Sequence, residues 1–126
     1  MFGLFGFISF GQRTITGTIG GATAYNSTTM INPSAIQVLC TNVAGTSEGS
    51  MTLEASVDNT SWETITETAG YFHFWPNDTF TVLTTAVWLA EIKPGSFPYY
   101  RVHSTGGSGD TTTVTIKWTK ERKWNN

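Results

Sequence analysis

Single apolar and polar residues alternate along most of this chain, and residues 51–65 show the pattern most plainly. Met51, Leu53, Ala55 and Val57 alternate with Thr52, Glu54 and Ser56, the period of a strand with one buried face. Asp58, Asn59, Thr60 and Ser61 follow, and their short side chains bond nearby backbone amides and favour a turn. Trp62 opens a second run, with Thr64 on its own face and Ile65 on the other. A hairpin with a large aromatic just past its tip is the predicted product.

The same reading extends in both directions. Residues 13–19 alternate threonine with Ile15, Gly17 and Ile19, a strand ended by Gly20 and Gly21. Residues 22–32 read as a polar loop closed by Asn32 and Pro33, and residues 34–43 as a strand. Residues 71–75 form another run, broken at Pro76 because proline cannot donate to a ladder. Phe80 and Val82, then Val87, Trp88, Leu89 and Ile92, predict two strands or one bent near Thr84 and Thr85. Residues 93–96 carry a turn signal, and residues 97–103 and 111–119 complete the set. In the last strand Val114, Ile116 and Trp118 share one face, and Thr113, Thr115 and Lys117 the other. No stretch has the three-to-four spacing of an amphipathic helix. About eight short-looped strands predict an all-β fold, a single antiparallel β-sandwich or jelly roll.

Residues 1–10 break the pattern with Phe2, Leu4, Phe5, Phe7, Ile8 and Phe10 spaced by glycines. The segment is too short to span a bilayer, which takes about 20 apolar residues, and it lacks the basic region and cleavage site of a secretory signal. Three placements are open: an extra edge strand on its own sandwich, an arm inserted into a neighbouring subunit, or a membrane-surface anchor. The expected organisation is an apolar arm over residues 1–12, a sandwich over 13–119 and a basic tail over 120–126.

Composition sharpens this picture. A chain of 126 residues with 13% charged and 13% aromatic residues suits one core made of strands and turns. A net charge of −2 gives no reason to expect nucleic acid. Lys117, Lys120, Arg122 and Lys123 are four of the seven basic residues, so the body before them is net acidic, an asymmetry able to steer copies head to tail. Cys40 is the single cysteine, which excludes an intrachain disulfide. Its phase with Ile36 and Val38 makes it a small buried hydrophobe rather than a reactive thiol.

The stretch Leu53-Glu54-Ala55-Ser56-Val57-Asp58-Asn59, with Trp62 three residues on, resembles the E-x-S-x-D-G-x-x-W hairpin of discoidin-like (F5/8 type C) β-sandwiches. Similar hairpins occur in small β-sandwich proteins of tailed-phage virions. Asn59 stands where that pattern has glycine. The resemblance covers about a tenth of the chain and implies a β-sandwich and a virion or surface-binding role, with no specific activity.

Candidate chemistry is sparse. His73 and His103 each lie inside an aromatic strand, with His73 expected to face outward. No paired cysteines, nucleophile elbow or phosphate loop is present; residues 106–109 are glycine-rich but lack lysine and precede a strand. Asp58, Asp78 and Asp110 sit in turns without the alternating acidic spacing of a calcium site. Glu54, Glu63 and Glu67 could approach across the hairpin as a glycosidase pair, but nothing in the sequence defines a cleft. The expectation is therefore a non-enzyme without metal or cofactor.

Two surfaces emerge as candidates. Phe2, Leu4, Phe5, Phe7, Ile8, Phe10, Lys120, Arg122, Lys123 and Trp124 are the candidate subunit contacts, since aromatic and arginine anchors concentrate interface energy. Trp75, Asn77 and Asp78 are the candidate ligand contacts. The expected function is a structural virion protein of a phage head, neck or tail, assembled in the host cytoplasm, whose partners are other copies and other virion proteins. The alternative is a carbohydrate-binding module that attaches to a surface glycan.

Overall fold

Among the described residues, eleven strands turn the alternation into two facing antiparallel sheets. The computed structural model describes residues 9–20, 24–44, 50–81, 86–105 and 111–122. In chain order the strands are β1 (Ser9–Gly20), β2 (Tyr25–Asn26), β3 (Met30–Ile31), β4 (Ala35–Ala44), β5 (Ser50–Ser56), β6 (Glu63–Ile65), β7 (Phe72–Trp75), β8 (Phe80–Thr81), β9 (Ala86–Ile92), β10 (Tyr99–Thr105) and β11 (Thr111–Arg122). One sheet runs β1-β11-β4-β9-β7. The other runs β2-β10-β5-β6, with β3 also on β10 and β8 also on β5. The fold is an all-β antiparallel sandwich, as the periodicity predicts.

The core lies between the inner faces. Ile36, Val38 and Cys40 of β4, Trp88 and Ile92 of β9, and Val114 and Ile116 of β11 meet Met51 and Leu53 of β5 and Tyr100 and Val102 of β10. Stacked rings fill one end: Trp88 lies parallel to Phe74 (5.7 Å) and to Phe80 (6.0 Å). Its indole N–H donates to the Asn77 carbonyl at 2.8 Å. Cys40 is fully buried, and burial pushes its thiol up to about 11.

Three differences from the sequence reading have local causes. First, residues 22–32 contain β2 and β3, and Met30 is fully buried. Strands of two residues are too short to show a period. Between them Ser27 acts as a strand residue, since its N–H donates to the Val102 carbonyl and its hydroxyl accepts the Val102 N–H, each at 2.9 Å. Second, β1 starts at Ser9 and β11 ends at Arg122, so paired sheet takes in residues 9–12 and 120–122. Third, Val57 is 71% exposed, while Ser56 is buried. The strand stops at Ser56 because its hydroxyl accepts the N–H groups of Asp58 (3.2 Å) and Asn59 (2.9 Å), which turns the chain.

The hairpin forms in register, with Leu53 opposite Ile65 and Ala55 opposite Glu63. Asn59 has φ 61°, the left-handed region that glycine adopts freely and asparagine tolerates. Its Oδ1 also accepts a hydrogen bond from the Thr29 hydroxyl at 2.9 Å. Asn59→Ala is expected to lower the unfolding free energy by about 1 kcal/mol. Asn59→Gly should stay near wild type, because relief of the backbone offsets the lost bond; urea midpoints check both.

The tip also sets a pH response. The N–H groups of Ser61 and Thr60 and the Ser56 hydroxyl hold the Asp58 carboxylate, lowering its pKa from 3.8 to about 2. A depressed carboxylate contributes stability above its ordinary pKa and loses it as pH falls through the folded value. Wild type should therefore lose this contribution between pH 3.8 and about 2. Asp58→Asn should flatten that part of the urea midpoint against pH curve, and an unchanged curve would rule the account out.

Candidate functional site

Strand register builds the outer face of the five-stranded sheet row by row. Trp75, Leu89, Gln37, Lys117 and Thr14 form one row across the sheet. His73, Glu91, Ala35, Thr119 and Gln12 form the next. Val87, Leu39, Thr115 and Thr16 form a third. Trp75, Leu89 and Val87 are 44%, 40% and 49% exposed, so an apolar patch on β7 and β9 grades into threonines on β11 and β1. A hollow of about 480 Å³ beside Trp75 is lined by Leu89, Gln37, Gln12, Glu91 and Lys117 among others. An aromatic face bordered by two carboxamides, a carboxylate and an ammonium can stack on a ring and bond its polar substituents.

The β7 margin is organised by Glu67. Its Oε1 accepts the Phe74 N–H at 2.9 Å and its Oε2 is paired with His73 Nδ1. The hydrogen bond with His73, followed by the one from Phe74, holds the Glu67 carboxyl below its ordinary pKa. The Glu67 N–H in turn donates to Asp78 Oδ2 at 2.9 Å. His73 faces outward and meets Trp75 edge-on, with centroids 4.0 Å apart. A second hollow, of about 590 Å³, runs past Glu67, His73, Tyr71 and Lys93, where the Lys93 ammonium lies 4.7 Å from the Tyr71 ring centre.

The candidate ligand residues separate on folding. Trp75 lines the hollow on the sheet face, whereas Asn77 and Asp78 do not. Asn77 Oδ1 accepts the Thr79 N–H at 3.1 Å, and Asp78 accepts that of Glu67. The polar neighbours of Trp75 are instead Gln12, Gln37, Glu91 and Lys117, which sequence reading did not single out. One signal was available: Ala86-Val87-Trp88-Leu89-Ala90 is apolar at every position, so both faces of β9 are apolar.

Of the candidate subunit contacts, Phe2, Leu4, Phe5, Phe7, Ile8, Lys123 and Trp124 lie outside the described residues. Phe10 and Arg122 belong to β1 and β11, and Lys120 is exposed on β11. Ser9 pairs with Arg122, so the chain enters β1 and leaves β11 at one corner. Of the three glutamates raised as a carboxylate pair, Glu54 and Glu67 are engaged on different sheets. Glu54 accepts from Arg101 Nε at 2.7 Å on the second sheet, while Glu67 serves β7. Arg101 also lies 4.3 Å from the Trp62 ring centre, which gives the hairpin aromatic a structural role. Among the described residues no group of three or more His, Cys, Asp or Glu side chains could hold a metal, and no helix is long and apolar enough to cross a membrane.

No family model matches the chain, and no curated protein matches it. In solved structures it is similar to the PBSX exported protein XepA, with a TM-score of 0.61 at 14% identity over 91% of this chain. It spans only 38% of the XepA chain. It is also similar to a structure described as Bacillus endospore appendages that form a novel family of disulfide-linked pili, with a TM-score of 0.51 at 13% identity over 95% of this chain and 96% of that one. The likeness is one of fold. The single buried Cys40 offers no equivalent of a disulfide link.

Proposed function

We propose that this chain is a structural protein of a phage-derived particle or extracellular appendage: a virion component of the head, neck or tail type, assembled in many copies. The observation that carries the reading is the pairing of Ser9 with Arg122. It sets the start of β1 and the end of β11 side by side at one corner, with Lys120 on the same strand pair. A rigid sandwich whose first and last strands meet at one corner suits contact with other copies and with other virion proteins. The fold likeness to a PBSX exported protein and to pilus-forming appendages supports the same class. In this reading the protein uses no cofactor, performs no catalysis and is assembled in the host cytoplasm.

Light scattering tests it. Full-length chain should have a mass of several protomers, and replacing Phe2, Leu4, Phe5, Phe7 and Ile8 with serine should lower that mass. A full-length chain that is monomeric at every concentration and absent from particles would overturn the proposal.

A second reading, a glycan-binding module, is favoured by the exposed Trp75 beside the 480 Å³ hollow. It expects wild-type binding on a glycan array that Trp75→Ala abolishes; an array without binders counts against it.

A further inference from the structure

Among the described residues, every sheet edge of this sandwich but one is short or sealed. On β7, Phe72 exchanges two backbone hydrogen bonds of 2.9 Å with Thr68, and the Phe74 N–H is taken by Glu67 Oε1. Pro76, next after β7, cannot donate. The outer strands of the second sheet are β2, β3, β6 and β8, each two or three residues long. The remaining edge is β1, with 12 residues, a backbone edge of about 40 Å. Among the described residues β1 pairs only with β11, so no described strand takes up the amides and carbonyls of its other side.

This edge lacks the usual protection against pairing. Residues 9–20 contain no proline, and the 12-residue register with β11 has no bulge. Its one charged residue, Arg13, lies over the Trp118 ring, 5.7 Å from its centre. The outward row is Thr14, Thr16 and Thr18, exposed, uncharged and β-branched. Natural sheets blunt such edges with charge, proline or bulges, and one left bare is a template for another strand.

We infer that β1 is a self-pairing edge, joining antiparallel to β1 of a second copy to make one ten-stranded sheet across a two-fold axis. Charge distribution selects this occupant and direction. Lys117, Lys120 and Arg122 lie opposite Thr14, Gly11 and Ser9, at the start of β1, and with Glu121 opposite Phe10 as the one carboxylate among them that half is net basic. The other end, Gly17 to Gly20, lies opposite Val114 to Thr111 and is uncharged. Antiparallel self-pairing sets each basic half against the other copy's neutral half; parallel pairing would set the basic halves together.

The register follows from the same argument. A two-fold axis normal to the sheet keeps inward residues opposite inward ones. Centring it on Ile15 puts Arg13 opposite Gly17 of the second copy and Thr14 opposite Thr16. Centring on Thr14 would make the two Arg13 side chains diagonal neighbours, which like charge disfavours. The closed, isologous contact yields a two-fold pair, the commonest symmetric homo-oligomer. It deepens the assembly reading above and rests on it.

The test uses the full chain. Directly opposed residues have Cα atoms about 4.5–5.5 Å apart, within disulfide reach. Mild oxidation of Ile15→Cys should give a covalent dimer, while Thr18→Cys, which sits opposite Gln12, should not; the native Cys40 is buried. Thr14→Lys/Thr16→Lys sets like charges across the axis and should halve the wild-type mass with an unchanged circular dichroism spectrum. Thr14→Lys/Thr16→Glu pairs opposite charges and should keep that mass. Absence of the Ile15→Cys dimer, or a Thr14→Lys/Thr16→Lys variant of wild-type mass, would overturn the inference. If wild type is multimeric when that happens, the structural reading survives and another segment covers the edge. A monomeric wild type without the cross-link would end both.

Discussion

Trp88→Ala is expected to cost about 3–5 kcal/mol, the range for removing a large aromatic from a packed core. The residue is 1% exposed and stacks on both Phe74 and Phe80, so truncation removes the stacking partner that the two rings share. It also strips the Asn77 carbonyl of the indole N–H that it accepts at 2.8 Å. That bond ties the turn after β7 to the middle of β9, so the loss couples core packing to the position of Asp78 and, through it, Glu67. Against a total stability of about 5–15 kcal/mol for a domain, the variant should melt at least 10 °C lower or fail to fold at 37 °C. Trp88→Phe separates the two contributions. It keeps a ring in the stack and loses the bond, and should cost about 1–2 kcal/mol. Thermal melts of both variants check the ordering, and equal losses would mean that the hydrogen bond, not the stacking, dominates.

Gly17→Ala is the second large effect, for a reason of space rather than backbone freedom. A Cβ at Gly17 would lie 2.6 Å from Tyr25 Oη, 2.7 Å from Cε1 and 2.9 Å from Cζ. Tyr25 belongs to β2 at the edge of the opposite sheet and packs partly buried against the core. Burial, then the nearby Cys40, raises its hydroxyl above the ordinary tyrosine pKa. Its ring bridges the edges of the two sheets. One methyl group must push that ring out or spread the sheets, at about 1–3 kcal/mol. Tyr25→Ala alone should also destabilise, by removing the bridge. The double variant should then be more stable than the sum of the two single losses predicts, with a coupling of about 1 kcal/mol or more. Additivity in urea titrations would show that the ring moves aside freely.

How much of this was legible beforehand depends on the range of the interaction. The hairpin of residues 51–65 was readable because its alternation, Asx turn and aromatic lie within 15 residues of one another. Even there, the alternation continues through Val57 while the strand does not, since the end of β5 is decided by the Ser56 hydroxyl capturing two amides. β2 and β3 were not readable at all. They exist because Met30, Ser27 and Tyr25 find β10 some 70 residues away, and that information is absent from any local window.

The candidate surfaces divide in the same way. Trp75 could be picked out as an aromatic beside a proline, but its companions could not. Gln12, Gln37, Leu89, Glu91 and Lys117 come from four strands that register alone brings into adjoining rows. The edge of β1 is likewise a property of topology. Its residues read as an ordinary threonine-rich strand, and only the sheet order leaves that strand on the outside.

The sequence by itself determined the all-β class, most strand positions, the buried state of Cys40 and the turn at Asp58. Each follows from a period of two or from side chains bonding their nearest amides, which are short-range effects. Tertiary structure alone decided which strands are neighbours, which glutamate meets which cation, which polar groups surround Trp75 and which long edge no described strand covers. Those outcomes depend on closing loops tens of residues long around one shared core, and the energy that selects among them appears only when both sheets are packed together.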